Sequence, residues 1–210
     1  MTPTLAKNIT GGLSSPSKMP GFAFSIPAQA CNVGSKLRAV AGSICSKCYA
    51  LKGRYTFPNV KNALSRRLEG LTHPLWVDAM AFLINSKAVN VFRWHDSGDI
   101  QSLEHLENIA KVCEATPDVR HWIPTREYAI VSAFKDKHGT FPSNLTVRLS
   151  ALMMDGPLPT GAADRLGVTV SGVTSDPEKV TCPAYKQGGI CGSCRACWDK
   201  ETPVVYYPKH

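Results

Sequence analysis

Seven of the eight cysteines in this chain are confined to two short stretches, one near each end of the sequence. The first stretch holds Cys31, Cys45 and Cys48, and the second holds Cys182, Cys191, Cys194 and Cys197. The first twenty-one residues contain no apolar run typical of a secretory signal, so we expect a cytoplasmic protein. Because a reducing cytosol keeps thiols free, the clustering favours metal ligation over disulfide bonds.

The second stretch reads CPAYKQGGICGSCRACW, in which two consecutive C-x2-C steps place three thiols on one short turn. Ferredoxin-type clusters use such a triplet together with a distant cysteine followed by proline, and Cys182-Pro183 supplies that fourth ligand here. We therefore predict an iron–sulfur cluster, of the [4Fe-4S] type, on the four cysteines of this stretch. The alternatives are a zinc ion on the same four thiolates, or reduced thiols with a purely structural role.

The first stretch contains three cysteines, with thirteen residues between Cys31 and Cys45 and two between Cys45 and Cys48. Three thiolates would leave one iron of a four-iron cluster open, and sites with an open position tend to be reactive. The sequence therefore predicts one or two clusters in all. In the alternative reading, Cys31 is simply buried, and Cys45 and Cys48 share a single site with two cysteines of the second stretch.

The middle of the chain alternates between strand and helix patterns, which predicts an α/β fold with a parallel sheet. Right-handed crossovers would put the helices on one face, so the fold class is a partial (β/α) barrel-like parallel sheet with a cysteine-rich, metal-bound C-terminal segment. The expected organisation is an irregular arm over 1–30, an α/β domain over 31–175 and a cluster-binding segment over 176–210. The predicted strands are 22–28, 89–94, 119–123, 145–149 and 168–170, and the predicted helices are 58–69, 74–86, 102–115 and 127–137.

About four strands are expected between residues 89 and 170, fewer than in a six-stranded barrel core. Ser102 is a plausible N-cap for the helix that follows it. Cys113 lies on the apolar stripe of that helix and is expected to be a core residue, as are Trp76, Trp122 and the Met153-Met154 pair.

Polar residues follow the predicted strands where they end, and the carboxyl rim of a parallel sheet is where ligands bind. The predicted cofactor-binding residues are His95, Asp96, Ser97, Gly98, Asp99, Arg126 and Ser150. The aspartates can accept hydrogen bonds from an ammonium or from ribose hydroxyls, and Arg126 can clamp a carboxylate. Structural alternatives stay open: Asp99 can cap a helix, His95 can be a core histidine, and Arg126 can pair with Glu127.

The chain carries a formal charge of +8 and has a pI near 9.1, which suits an anionic partner such as nucleic acid. The cations form no run longer than a doublet such as Arg66-Arg67, so a soluble basic surface without a partner is the alternative. No stretch approaches the roughly 20 apolar residues that span a bilayer, so no membrane partner is expected.

The stretches SICSKCYALKGRY, FRWHDSGDIQS, HWIPTR and CGSCRACWDK resemble the gene-product-88 family of bacteriophage proteins. That resemblance implies a place in an infected bacterial cell but no mechanism. The segment SICSKCYA, followed by strand–helix alternation, is similar to the phage-encoded branch of the radical S-adenosylmethionine superfamily. This similarity implies a cluster on Cys31, Cys45 and Cys48, and it implies that the HDSGD turn at 95–99 meets the amine of S-adenosylmethionine.

Two functions therefore remain open from the sequence. The first is a radical S-adenosylmethionine-type enzyme acting at the carboxyl rim of a partial barrel. The second is a zinc- or cluster-stapled nucleic-acid-binding or regulatory protein without catalytic activity. The sequence assigns no catalytic residue.

Overall fold

A single six-stranded sheet organises the protein in the computed structural model, which describes residues 1–209. All neighbouring strands are parallel, and their order in the sheet follows their order in the chain. The strands are β1 Phe22–Phe24, β2 Val91–Trp94, β3 Arg120–Thr125, β4 Leu145–Ser150, β5 Thr169–Thr174 and β6 Val204–Pro208. This is the strand order of a (β/α) barrel opened between its last and first strands.

The predicted parallel α/β fold is thus confirmed, as are the four strands expected between residues 89 and 170 and the strand expected near residue 22, whereas β6 was not predicted. Four strands do lie between residues 91 and 174, and β1 and β6 extend the sheet at its two edges. The strand β6 was missed because it follows the cysteine-rich stretch and has no helix before it. That stretch is itself the crossover between β5 and β6.

The other connections are helical. The α-helices are α1 Pro3–Thr10, α2 Asn32–Leu37, α3 Pro58–Gly70, α4 Trp76–Asn85, α5 Leu103–Glu114, α6 Tyr128–His138 and α7 Thr160–Leu166. Short 3-10 helices cover Ala28–Ala30, Ile44–Lys47, Tyr49–Leu51, Gly53–Thr56, Pro183–Lys186 and Ala196–Trp198. Within residues 1–209, no helix combines the length and the apolar character needed to cross a membrane.

One face of the sheet packs against the helices and forms the main core. Alternate strand residues such as Phe92, Ile123 and Val147 meet apolar side chains of α4, α5, α6 and α7 there. The helix α5 illustrates the local rules: the Ser102 side chain accepts from the backbone N–H of His105, and the Cys113 side chain is fully buried. The predicted N-cap and the predicted core role of Cys113 are therefore both confirmed.

The first ten residues are not irregular, which corrects the expected arm over 1–30. The Thr2 side chain caps α1, Pro3 occupies its first turn, and Gly11 ends it in a left-handed conformation with φ of +75°. Ala6 and Ile9 are buried against α4, so the helix is held by apolar packing. The Gly, Ser and Pro content that predicted an irregular arm belongs to the segment after α1.

The second face of the sheet is covered by the cysteine-rich crossover. Trp198 packs against Val91 and Trp122, and its indole N–H donates to the carbonyl of Phe92 at 2.8 Å. Trp76 and Trp122 are buried as expected, whereas Met153 and its neighbour Met154 are only half-buried. Both faces of the central strands are therefore covered, as is usual for parallel sheets.

Candidate metal and cofactor site

The first cysteine stretch lies across the carboxyl ends of the strands. It begins just after β1 and is held to the ends of the next strands by hydrogen bonds. The backbone N–H of Val33 donates to the Glu127 carboxylate at 2.9 Å, and the backbone N–H of Ile44 donates to the carbonyl of Leu152 at 3.0 Å. Ser43 forms an antiparallel bridge with Met153. The stretch therefore runs along the rim as far as the end of β4.

Two thiols of this stretch, those of Cys31 and Cys45, lie close to Gly34. A Cβ atom at position 34 would lie 3.5 Å from the sulfurs of both Cys31 and Cys45, so those sulfurs are separated by at most twice that distance. Burial is the main cause that raises the pKa of Cys31 to about 12, and the charges of Asp99, Cys45 and Cys48 contribute to the same shift. Burial also raises the pKa of Cys45. Such mutual repulsion between thiolates is relieved when a cation binds among them.

The predicted HDSGD turn adjoins these thiols. The hydroxyl of Tyr55 donates to the Asp96 carboxylate at 2.8 Å, and the hydroxyl of Tyr49 donates to the Asp96 carbonyl. The rings of the two tyrosines contact each other with centroids 5.8 Å apart. Because Tyr49 directly follows Cys48, these bonds fix the C-terminal end of the cysteine stretch on the turn.

Asp99 is the residue of the turn whose charge most affects the thiols. Its carboxylate accepts from the backbone N–H of Ile100 at 2.8 Å, from the Thr125 hydroxyl at 2.6 Å and from the backbone N–H of Arg126 at 2.9 Å. Burial raises the pKa of Asp99, while these hydrogen bonds and the Arg126 guanidinium lower it. Arg126 also lowers the pKa of Cys45. Asp99 and Arg126 therefore border the thiols on the β2 and β3 side.

Three other predicted rim residues have structural contacts instead. The His95 ring packs against His105 on the helical side with centroids 5.3 Å apart, and burial lowers its pKa well below the usual value. The Ser97 hydroxyl donates to the Ile26 carbonyl at 3.0 Å. Gly98 has φ of +82°, and a Cβ there would lie 2.3 Å from Ile26, so the turn packs closely on the chain after β1.

The remaining predicted rim residue, Ser150, is buried at the end of β4. Its hydroxyl lies 3.2 Å from that of Ser171 on β5. In the described part of the chain Arg126 forms no ion pair with Glu127, and its Nε donates to the Ala151 carbonyl at 3.1 Å. The structure therefore ties Ser150 and Arg126 to the rim itself, and leaves their predicted ligands untested.

The four cysteines of the second stretch form a separate set against the second face of the sheet. The charges of Cys182 and Cys194 raise the pKa of Cys191, and that of Cys182 raises the pKa of Cys197. The Cys197 sulfur lies 3.1 Å from the Tyr207 hydroxyl, and burial raises its pKa to about 11. The two sets have different neighbours, which favours two groups of thiols over one shared site.

Two arginines of the sheet face the second set. Arg148 is fully buried, and its guanidinium donates to the carbonyls of Val170, Ala196, Asp199 and Thr202 at 3.0 to 3.2 Å. The Arg93 guanidinium lies over the Trp122 ring, 4.6 Å from its centroid. Within residues 1–209 neither guanidinium forms an ion pair with a carboxylate.

The positive charges of these two arginines lower the pKa of Cys197, because they favour its thiolate form. The charge of Arg93 also interacts with those of Tyr49 and Asp96, so this side chain lies between the two cysteine sets. Neither arginine was predicted as a site residue from the sequence. The sequence feature that could have identified them is a cation in the middle of an otherwise apolar strand: Arg93 in VFRW and Arg148 in TVRL.

No three His, Cys, Asp or Glu side chains in the described part of the chain converge closely enough to hold one metal ion. The donors fit a thiolate-bound metal group at the first stretch, because three cysteines supply the ligands and their charges interact. A tetrahedral zinc ion needs its sulfurs about 3.8 Å apart, and a four-iron cluster needs them farther apart. The Cys31 and Cys45 sulfurs, each 3.5 Å from the position of a Gly34 Cβ, can satisfy either spacing.

Fold and site together define a singly wound parallel α/β protein with one thiol set at the carboxyl rim of its sheet and a second set across one face. The family model described as Gene product 88 matches residues 2–200. The chain therefore belongs to the Gene product 88 family, which confirms the resemblance found from the motifs. Searches of curated proteins and of solved structures found no match.

Proposed function

We propose that this protein is an iron–sulfur enzyme of the radical S-adenosylmethionine type. The first cluster would be held by Cys31, Cys45 and Cys48 at the carboxyl rim of the sheet. When bound, a four-iron cluster with one open iron supplies the electron for reductive cleavage of S-adenosylmethionine. The observation that carries the proposal is that the charges of these three thiols interact with one another and with Asp99 of the HDSGD turn, on a sheet of six parallel strands in sequential order.

The chain's own residues would orient the cofactor. Asp99 is held by three donors and cannot turn away from the thiols, so it offers a fixed negative charge to an ammonium group. Arg126 borders the same thiols and offers a fixed positive charge to a carboxylate. A methionine moiety carries both groups, so this pair of opposite charges suits it.

The second set supports a further metal centre. Arg93 and Arg148 place two positive charges near Cys197 without a paired carboxylate in the described chain. A buried cation that lacks a counter-charge costs several kcal/mol. Four thiolates around a cluster or a zinc ion carry net negative charge and would compensate it. We propose an auxiliary [4Fe-4S] cluster on Cys182, Cys191, Cys194 and Cys197, with zinc as the alternative metal.

The metal content of anaerobically purified protein tests both centres. Iron, zinc and acid-labile sulfide are measured per chain for the wild type and for Cys45→Ala, Cys194→Ala and Cys113→Ala. Two clusters predict about eight irons with equal sulfide in the wild type, and about half of that in each of the first two variants. Cys113→Ala is the matched control and keeps the full content. Zinc without sulfide in the wild type would overturn the radical mechanism.

The cofactor is tested on the same preparations. Reconstituted protein is incubated with S-adenosylmethionine and dithionite, and 5′-deoxyadenosine and methionine are quantified. We expect both products from the wild type and none from Cys45→Ala. Asp99→Asn should weaken S-adenosylmethionine binding without loss of iron, because it removes a charge but not a thiol. Absence of cofactor binding by iron-loaded wild type would refute the enzyme proposal.

Gly34→Ala probes the space between the thiols. The new Cβ would lie 3.0 Å from the Cys31 Cβ and 3.5 Å from two sulfurs, so we expect lower iron content with α2 intact. Gly161→Ala is the control, because a Cβ at that helical position meets nothing within 4 Å. Equal iron content in both variants would argue against a cluster beside Gly34.

A further inference from the structure

The net positive charge of this protein is confined to its first third. Residues 1–68 contain ten Lys and Arg residues and no Asp or Glu, and the first acidic residue is Glu69. Residues 69–210 hold the other fourteen cations and all sixteen acidic residues. The whole excess of positive charge therefore lies in α1, β1, the first cysteine stretch and α3. The cations themselves are spread along the chain, and the absence of acidic residues from the first third leaves the excess there.

A short surface beside the first cysteine set combines this charge with exposed rings. We define the rim strip as Lys47, Tyr49, Lys52, Arg54 and Phe57. All five residues are exposed, with 45% of the Tyr49 surface and 54% of the Phe57 surface open to solvent. The strip starts one residue before Cys48 and runs through three consecutive 3-10 helices. Cations and aromatic rings are therefore interspersed along eleven residues of chain next to the thiols.

The strip is held in place rather than loosely attached. Tyr55 lies between Arg54 and Phe57 in the chain, and its hydroxyl donates to the Asp96 carboxylate. The Tyr49 hydroxyl donates to the Asp96 carbonyl. Tyr49 thus exposes its ring while its hydroxyl points toward the turn. Ordered aromatic faces lose little side-chain entropy when a flat ligand stacks on them.

We propose that the rim strip binds single-stranded nucleic acid and presents it to the first cysteine set. Single strands are bound by basic grooves that follow the phosphates and by aromatic side chains on which unpaired bases stack. Duplexes hide their base faces, so they would use the cations and not the rings. The role in catalysis rests on the proposed function, whereas the binding itself requires no metal.

The test is fluorescence anisotropy with labelled 20-nucleotide single strands, one of DNA and one of RNA, titrated with full-length protein at several salt concentrations. The charge-reversal variant Lys52→Glu/Arg54→Glu should bind at least about tenfold more weakly. Loss of two phosphate contacts should reduce the slope of log affinity against log salt by about 1.4. The matched control is Lys111→Glu/Lys209→Glu, which changes the net charge equally at exposed cations of α5 and the C-terminus. The control should keep wild-type affinity.

Phe57→Leu tests stacking separately from charge. It keeps an apolar side chain at an exposed position and should weaken single-strand binding about fivefold with an unchanged salt slope. The DNA and RNA arms tell which nucleic acid is preferred. Equal affinity for a duplex of the same sequence, or equal losses in the two charge-reversal variants, would overturn the proposal and leave only a diffuse polyanion effect.

Cys45→Ala separates this proposal from the proposed function. If this variant lacks iron but binds the single strand like the wild type, the strip acts independently of the cluster. If iron-loaded wild type cleaves S-adenosylmethionine but binds no single strand, the strip proposal fails and the enzyme proposal stands. Thermal unfolding of each variant checks that a lost affinity does not reflect a lost fold.

Discussion

Replacement of Arg148 by Met tests whether a negative metal centre compensates the buried charges of the sheet. The guanidinium is fully buried and donates to four carbonyls, three of which lie in the segment 196–202 that follows the last cysteines. Methionine is similar in length but provides no donor and no charge. The substitution therefore leaves four carbonyls without this partner and removes one positive charge beside Cys197.

The magnitude follows from two opposing effects. A hydrogen bond from a charged donor contributes about 1.5–3 kcal/mol, but removal of the arginine also relieves a desolvation cost of several kcal/mol. We expect a net loss of about 3–5 kcal/mol in the metal-loaded protein, the range found when one partner of a buried pair is removed. Without metal, Cys197 is a neutral thiol at pH 7.5, since its pKa is raised to about 11. The loss should then be smaller by at least about 1 kcal/mol.

Urea unfolding followed by circular dichroism measures both losses, on anaerobic protein as purified and after treatment with a chelator. Arg120→Met is the control, because Arg120 lies exposed on the neighbouring strand β3 and should change stability by less than about 0.5 kcal/mol. An equal loss for Arg148→Met with and without metal would refute the charge-compensation argument. A loss no larger than that of Arg120→Met would refute the role of the four hydrogen bonds.

Two further predictions concern pH and the anchoring of the cysteine stretch. Burial lowers the pKa of His105 and of His121 to about 3, so the unfolded chain binds their protons first and stability falls as pH drops from 6.5 toward 3. The free energy of unfolding, measured by urea titration, should fall by about 1.4 kcal/mol per pH unit for each histidine. His121→Gln should remove the contribution of one histidine from this slope. A slope that the variant leaves unchanged would contradict this prediction. Tyr55→Phe removes the bond to Asp96 and should speed amide exchange in residues 44–57 by about 2–10-fold, whereas exchange in α5 stays as in the wild type.

Several local elements could be predicted from the sequence because short-range rules determine them. The Ser102 cap and the apolar stripe ending at Cys113 define α5, and the structure has both. The interior strands β2 to β5 were predicted within a few residues because each is an apolar run between turns. The helix α1 was missed, since its Thr-Pro start and Gly end were hidden in a stretch rich in turn residues. The strand β6 was missed because it follows the cysteine-rich stretch, where the alternation of strand and helix patterns stops.

The candidate site, too, was predicted only in part. Residue types and spacing identified the two thiol sets, because ligand chemistry is a property of the side chains themselves. The rim prediction was less selective: Asp99 and Arg126 border the thiols, whereas His95, Ser97 and Gly98 serve the packing of the turn. The sequence shows which polar residues follow a strand, but it does not show which of them border the thiols and which pack the turn. The backbone conformation of the turn decides which side chains point outward.

The sequence by itself determined the chemistry that is available: seven clustered thiols, a parallel α/β pattern and a strongly basic first third. Only the tertiary structure decided which groups meet. Cys31 lies beside Asp99, far along the chain, because parallel crossovers bring the carboxyl ends of successive strands to one rim. Arg148 meets Cys197 because the β5–β6 crossover folds back over the face opposite the helices. Such contacts depend on packing between segments that are distant in the sequence, and no local pattern of residues encodes that packing.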